Sequence, residues 1–284
     1  MSLLTPALAL LLCITLALVV AGSIVNKILR GVPPRPTVTG LARVFREWVA
    51  HVWMLPLLAT GVFEGAPRRS PPTAGPGEGC PPVLLVHGYD MNRGCWRLLE
   101  AWLRRRGWAW VWSTNHRPRW APIPALAAEL GQDIERLKRE TGAAQVDVVA
   151  HSMGGVVTAW YARQLDGGAN IRRLVTIGTP WGGTLLAVLG LRPEAEGLRP
   201  SSPVIDAIRP PAMPVASLWS REDQIIAPSD SSEIPEAQCI ELDQGGHAEM
   251  LLDPRVWRRV GALLAAPDDP RPGAACPPWP PESP

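Results

Sequence analysis

An excess of charge of one sign is what this sequence most plainly lacks. Its 28 lysines and arginines against 26 aspartates and glutamates leave a formal net charge of +2 over 284 residues. No block of like charge forms, so no nucleic-acid partner is expected. Cysteine is sparse: Cys13, Cys80, Cys95, Cys239 and Cys276 are odd in number and in no metal-ligand spacing. A zinc site is therefore unsupported and a full disulfide framework is impossible, although one bridge, Cys80 to Cys95 for example, stays open. The redox compartment stays open with it. No internal repeat is visible, which argues against a repeat architecture. Histidine occurs five times, so any mechanism that needs an imidazole has five positions to draw on. The length suits one α/β domain plus appendages.

The most informative stretch runs from Val146 to Val157 and reads VDVVAHSMGGVV. Val146 to Val149 is a short buried strand by its apolar, β-branched run, and Val156 to Arg163 suits a helix. A serine on so abrupt a strand-to-helix turn, Ser152, holds its hydroxyl clear of the sheet. The amides that open the helix point toward negative charge developing beside it. Strand and helix pass close there, so the flanks must be small. Ala150 and Gly154 supply that, although the commoner pattern has glycine at the first of them.

The N-terminus is apolar. No charged residue occurs from Ser2 to Asn26, and Leu3 to Val25 is long enough to cross a bilayer. A secretory signal would carry a positive charge ahead of its apolar core, and none is present, though Ala21-Gly22-Ser23 resembles a cleavage site. Residues 1–26 are read as a transmembrane anchor. Lys27, Arg30, Arg35, Arg43 and Arg46 follow, so positive-inside logic puts this linker in the cytoplasm. A second apolar patch, 48–63, contains His51 and Pro56 and is short for a span. It either crosses or rests on the membrane surface, and the side on which the rest of the chain lies depends on which. Residues 27–80 are read as a basic, membrane-proximal linker, with turn-forming residues concentrated from Gly65 to Pro82.

From residue 81 strands and helices alternate. Pro82 to Tyr89 reads as a strand ending in His87-Gly88, and Trp96 to Arg106 as a helix. Trp108, Trp110 and Trp112 alternate with Ala109 and Val111, which argues strand. A helix over Pro124 to Thr141, the serine strand and its helix, and a strand over Ile171 to Ile177 follow. The alternation predicts a mostly parallel sheet with helices on both faces. Functional residues of such sheets gather at the carboxyl ends of the strands.

A serine there needs a histidine as base. His51 lies in the membrane-proximal segment, His87 and His116 end earlier strands, and His151 takes a strand position expected to face elsewhere. Only His247 follows Ser152, in the glycine-rich loop Gln244 to His247, between the strand Cys239 to Leu242 and the closing helix Asp253 to Ala265. A carboxylate must orient the imidazole. Asp223, in the turn after the strand Val215 to Trp219, is best placed, and Glu222 beside it is the rival. The backbone amides of Met153 and Tyr89 are the expected oxyanion donors.

Taken in order, the His87-Gly88 strand end, Ala150-His151-Ser152-Met153-Gly154-Gly155, Gly178-Thr179-Pro180-Trp181-Gly182-Gly183-Thr184, the Asp223 turn and Gly246-His247 resemble the α/β-hydrolase fold. Within it they are similar to the bacterial lipase and esterase branch. The resemblance covers residues 81–265, about two thirds of the chain. It implies a Ser152-His247-Asp223 triad, an acyl-enzyme, hydrolysis of a carboxylic ester and no cofactor or metal. Trp181 departs from it, standing where related lipases often have histidine.

Residues 181–211 read either as a cap or lid over Ser152 or as an ordinary packed helix with a loop. Residues 266–284 are rich in proline and expected to be disordered. The expected function is hydrolysis of a small-molecule or lipid ester at a membrane, in a bacterial inner membrane. A thioesterase, amidase or acyltransferase would use the same triad. A catalytically inactive, membrane-anchored binding module would require none of it.

Overall fold

A computed structural model describes residues 4–33, 36–63, 66–67, 77, 79–209 and 211–266. The tail expected to be disordered, beyond Ala266, and most of the turn-rich stretch 65–82 lie outside the described residues.

Among the described residues six strands form one parallel sheet: β1 (Val83–Val86), β2 (Val111–Thr114), β3 (Val146–His151), β4 (Ile171–Ile177), β5 (Val215–Ser220) and β6 (Gln238–Leu242). Their order across the sheet is β2-β1-β3-β4-β5-β6. Strands β1, β2, β3 and β5 are buried along their whole length. Helices cover both faces, so these strands are mostly apolar on both sides. Alternate residues go to opposite sides, as the period of a strand requires. Leu84, Val86, Val148 and Ala150 join one core with α4 (Ile123–Thr141) and α5 (Met153–Gln164). Val83, Leu85, Val149 and Val175 join the other with α3 (Arg97–Arg104) and the later α9 (Pro254–Ala265). In α4 the buried residues Ile123, Leu126, Leu130, Ile134 and Leu137 keep helical spacing. The helix stops at Gly142, whose positive φ of 72° lets its amide reach the Lys138 carbonyl.

The tryptophan alternation misplaces β2. The strand begins at Val111, and Trp108 lies in the turn after α3 with its ring fully buried beside Trp96 and Leu103. Burial of a large ring, not strand periodicity, sets that position. The suggested Cys80–Cys95 bridge does not form. Cys80 is disulfide-bonded, whereas Cys95 is a free thiol buried in the apolar cluster beneath the turn that precedes α3.

Between β4 and β5 the chain makes a short 3-10 turn over Leu185–Leu189 and two short helices, α6 (Pro193–Glu196) and α7 (Pro203–Ala207). Ala187 and Ala195 face inward, while Val188, Leu189 and Leu191 form an exposed apolar ridge, Leu191 being 97% exposed.

Two long helices precede the sheet. In α1 (Leu4–Leu29) the window Leu12–Leu29 is long and apolar enough to cross a membrane by length and composition, and Ile14, Leu18, Ile24 and Ile28 are exposed. Helix α2 (Val38–Thr60) starts at Thr37, whose hydroxyl accepts the Gly40 amide at 3.0 Å. It is two-faced. Glu47, Ala50 and Met54 are buried, and Leu41, Phe45 and Trp53 are exposed. The Trp48 indole donates to the Leu12 carbonyl at 3.1 Å, which ties the two helices together. Residues 27–80, read from sequence as a linker, thus contain a 23-residue helix lying on the sheet domain.

Candidate active site

Strand β3 passes into α5 through one residue, Ser152, held at φ 53° and ψ −125°. Such a backbone costs about 1–3 kcal/mol and persists only where its surroundings over-determine it. Here the Ser152 amide donates to the Ile177 carbonyl at 2.9 Å, and the Thr179 hydroxyl donates to the Ser152 carbonyl at 2.9 Å. The start of α5 runs so close to β1 that a Cβ on Gly154 would lie 2.5 Å from the Val86 carbonyl oxygen. Gly88 is equally confined, since a Cβ there would meet the Ser152 Cβ at 2.9 Å. His87-Gly88 and the serine turn are therefore neighbours because neither glycine has a side chain.

Asp223 follows β5 and is oriented by its own turn. Its Oδ1 accepts the amides of Ile225 and Ile226 at 2.8 and 2.9 Å, which leaves Oδ2 to the His247 Nδ1 at 2.7 Å. Both side chains are buried. With its Nδ1 proton directed at a carboxylate, the neutral imidazole keeps Nε2 as an acceptor. Burial by itself depresses the His247 pKa, but the Asp223 charge and hydrogen bond, with help from Glu47, hold it above the ordinary histidine value. Glu222, the rival carboxylate, pairs instead with Arg43 at 2.8 Å.

Gly178 joins the two halves of the site. It follows Ile177, which holds the Ser152 amide, and a Cβ on it would lie 3.1 Å from Asp223 Oδ2 and 3.2 Å from His247 Nδ1. His151 does not face elsewhere, as its strand position suggests. Its ring packs against His247 with centroids 4.5 Å apart, and its Nε2 donates to the His247 carbonyl at 3.2 Å. It ends β3 on the side where the base loop folds over, so the two imidazoles meet.

Met153, at the first position of α5, and Tyr89, beyond Gly88, donate their amides to no other group among the described residues. A cavity of about 180 Å³ adjoins them, lined by Gly88, Met153, Asn92, Asn115, His116 and Trp120. Among the described residues no three His, Cys, Asp or Glu side chains come together as a metal-ligand group. Trp181 is fully buried in the core and lines no part of that cavity.

Two polar residues that touch the acid and base loops escaped the sequence reading. Asn26, near the end of α1, donates to the carbonyls of Asp223 and Ile226, and its Oδ1 accepts the Ser229 amide at 3.2 Å. Glu47 in α2 accepts the amides of Ala248 and Glu249. The available signal was a polar residue closing an apolar helix, and a glutamate at helical spacing from Ala50 and Met54.

Residues 81–196 match the family model of the α/β hydrolase fold. Among solved structures, a Bacillus licheniformis lipase in its mature form is 16% identical with a TM-score of 0.60, over 71% of this chain and 99% of that one. Lipase B of Aspergillus fumigatus is 20% identical with a TM-score of 0.60, over 72% of this chain and 57% of the lipase. A structure of the metagenome-derived lipolytic enzymes LipS and LipT is 17% identical with a TM-score of 0.53, over 70% of this chain and 96% of that one. At such identities the likeness is one of fold. With its parallel sheet, its serine turn after β3 and the loops that carry Asp223 and His247 after β5 and β6, this chain has the α/β-hydrolase fold.

Proposed function

We propose that the protein is a membrane-associated serine hydrolase that cleaves carboxylic esters through an acyl-enzyme. One observation carries this reading: a strained serine turn whose preceding residue, His151, packs its ring 4.5 Å from that of a buried His247, whose Nδ1 lies 2.7 Å from a carboxylate. In this mechanism Ser152 Oγ attacks the ester carbonyl while His247 Nε2 takes its proton. The Met153 and Tyr89 amides hold the oxyanion. His247 then returns the proton to the departing alcohol, and water, activated by the same imidazole, releases the acid. Asp223 stabilises the imidazolium and does not itself take a proton. Neither metal nor cofactor has a step to perform.

The lipases and lipolytic enzymes that share the fold support an ester as the scissile group, by analogy of fold. The cavity beside Met153, about 180 Å³, is below the range of roughly 300–1,000 Å³ usual for ligand sites. Membrane association rests on α1, whose window Leu12–Leu29 is long and apolar enough to cross a membrane and exposes Ile14, Leu18, Ile24 and Ile28. The docked α2 supports the surface-lying alternative for residues 48–63. The exposed Val188, Leu189 and Leu191 favour esters that arrive from an apolar phase.

Labelling of the detergent-solubilised full chain with a fluorophosphonate tests this reading. The wild type is expected to label and both Ser152→Ala and His247→Ala to lose it. A folded wild type that stays unlabelled with detergent present would count against a hydrolase and favour the inactive binding module.

A further inference from the structure

The reaction above uses nothing from α1 or α2, yet both reach its loops. Glu47 is buried on the inner face of α2, and both its carboxylate oxygens point at the segment that carries the base. Oε1 accepts the Ala248 amide at 2.8 Å and the Gln224 side-chain amide at 2.5 Å, and Oε2 accepts the Glu249 amide at 2.9 Å. Gln224, turned by that contact, offers its Oε1 to the His247 amide at 3.2 Å. The amides of residues 247, 248 and 249 are thus held, directly or through one glutamine, by a single side chain. Room for it exists only because residue 246 is glycine, whose Cβ would stand 2.2 Å from Glu47 Oε2. Asn26 fixes the acid turn in the same manner through the Asp223 and Ile226 carbonyls.

A neutral acceptor could hold these amides but would not act on the imidazole. Every hydrogen-bonding partner of the Glu47 carboxylate is an N–H donor, an arrangement that suits the ionised form. Burial outweighs His51 and the Ala248 and Glu249 amides and holds the Glu47 pKa above the ordinary carboxylate value. The titratable groups around the base are Asp223 from the acid turn, His151 from β3, Glu47 and His51 from α2, and Glu249 of α8 (Glu249–Leu252), paired with Arg46 at 2.9 Å. Of these, Asp223 and Glu47 place negative charge where it favours the imidazolium.

We propose that Glu47 is a positioning residue for His247: it fixes the base loop and sets a second negative charge behind the imidazole, so that the membrane-proximal helix is part of the active site. This rests on the hydrolase reading for its catalytic meaning and its labelling test, but not for the titration of His247.

The test follows Ser152 labelling by a fluorophosphonate against pH in the full-length, detergent-solubilised protein. Removing the charge lowers the His247 pKa, so in Glu47→Gln the acid limb moves to lower pH. Loosening the loop also lowers the plateau rate by about 10- to 100-fold. Glu47→Asp keeps the charge at a shorter reach and is expected to lose plateau rate with its limb unmoved. A merely structural role would lower the plateau of Glu47→Gln and leave its limb in place, and that result overturns the proposal, as would wild-type behaviour. Should Glu47→Gln fail to fold, Glu47→Asp decides, because a wild-type plateau there contradicts the positioning role. NMR titration of His247 with labelled Cε1 reads the same shift without turnover. An unlabelled wild type would then sink the hydrolase reading, while an unmoved His247 titration in Glu47→Gln would sink this one.

Discussion

Two pairs of packed histidines stand at the carboxyl end of the sheet, and they differ in what lies behind them. His87 and His116 have centroids 4.2 Å apart and satisfy one another through the backbone. His87 Nδ1 donates to the Gly88 carbonyl, His116 Nε2 to the His87 carbonyl, and the His116 amide to His87 Nε2. Burial depresses both, His116 to about 4. His151 and His247 are equally buried and as closely packed, and burial depresses His151 too. His247 alone has a carboxylate on its ring, and its pKa rises. Neither burial nor a place at a strand end raises the pKa of an imidazole here. The carboxylate does.

The largest test of that contrast removes one member of each pair. His247→Ala should slow Ser152 labelling and ester turnover by about 10⁶-fold, whereas His116→Ala should keep activity within about tenfold. Asp223→Asn comes next and should cost about 10⁴-fold in kcat. It should also move any residual acid limb to lower pH, because only Glu47 then opposes the effect of burial on His247. If Asp223→Asn left both rate and limb unchanged, the two pairs would not differ for the reason given.

The first pair carries a stability signature instead. The folded pKa of His116 is depressed to about 4 from an ordinary 6.5, so the fold favours the neutral ring. Its stability is fully present above pH 6.5 and is lost as the pH falls through 4, by about 3 kcal/mol. Chemical denaturation across that range should show this slope, and His116→Gln should flatten it. The smallest effect is expected at Tyr89. Only its amide faces the oxyanion, so Tyr89→Phe should stay within about twofold of wild-type kcat. A large loss would mean that the phenol takes part.

What could be read in the sequence follows the range of the interactions. Strands β1 and β3 to β6, helices α4, α5 and α9, and the serine turn all announce themselves through local periodicity and small residues at fixed offsets. His247 was found because chain order left one histidine after Ser152. Local reading failed where the deciding partner is remote. Trp108 sits in a turn because the core under α3 takes its ring. His151 meets His247 because a loop 96 residues away closes over it. Asn26 and Glu47 lie about two hundred residues from the loops they hold, in helices whose hydrophobicity spoke first of a membrane. An apolar pattern predicts that a helix face is covered, and does not name what covers it.

The central claim is that Ser152 becomes acylated with His247 as its base. The most direct measurement is intact and peptide mass spectrometry after a brief pulse of an activated short-chain ester, quenched in acid. The account predicts an added acyl mass confined to the peptide containing Ser152, and its absence in His247→Ala. Turnover without an adduct, or an adduct on another residue that persists in Ser152→Ala, would contradict it.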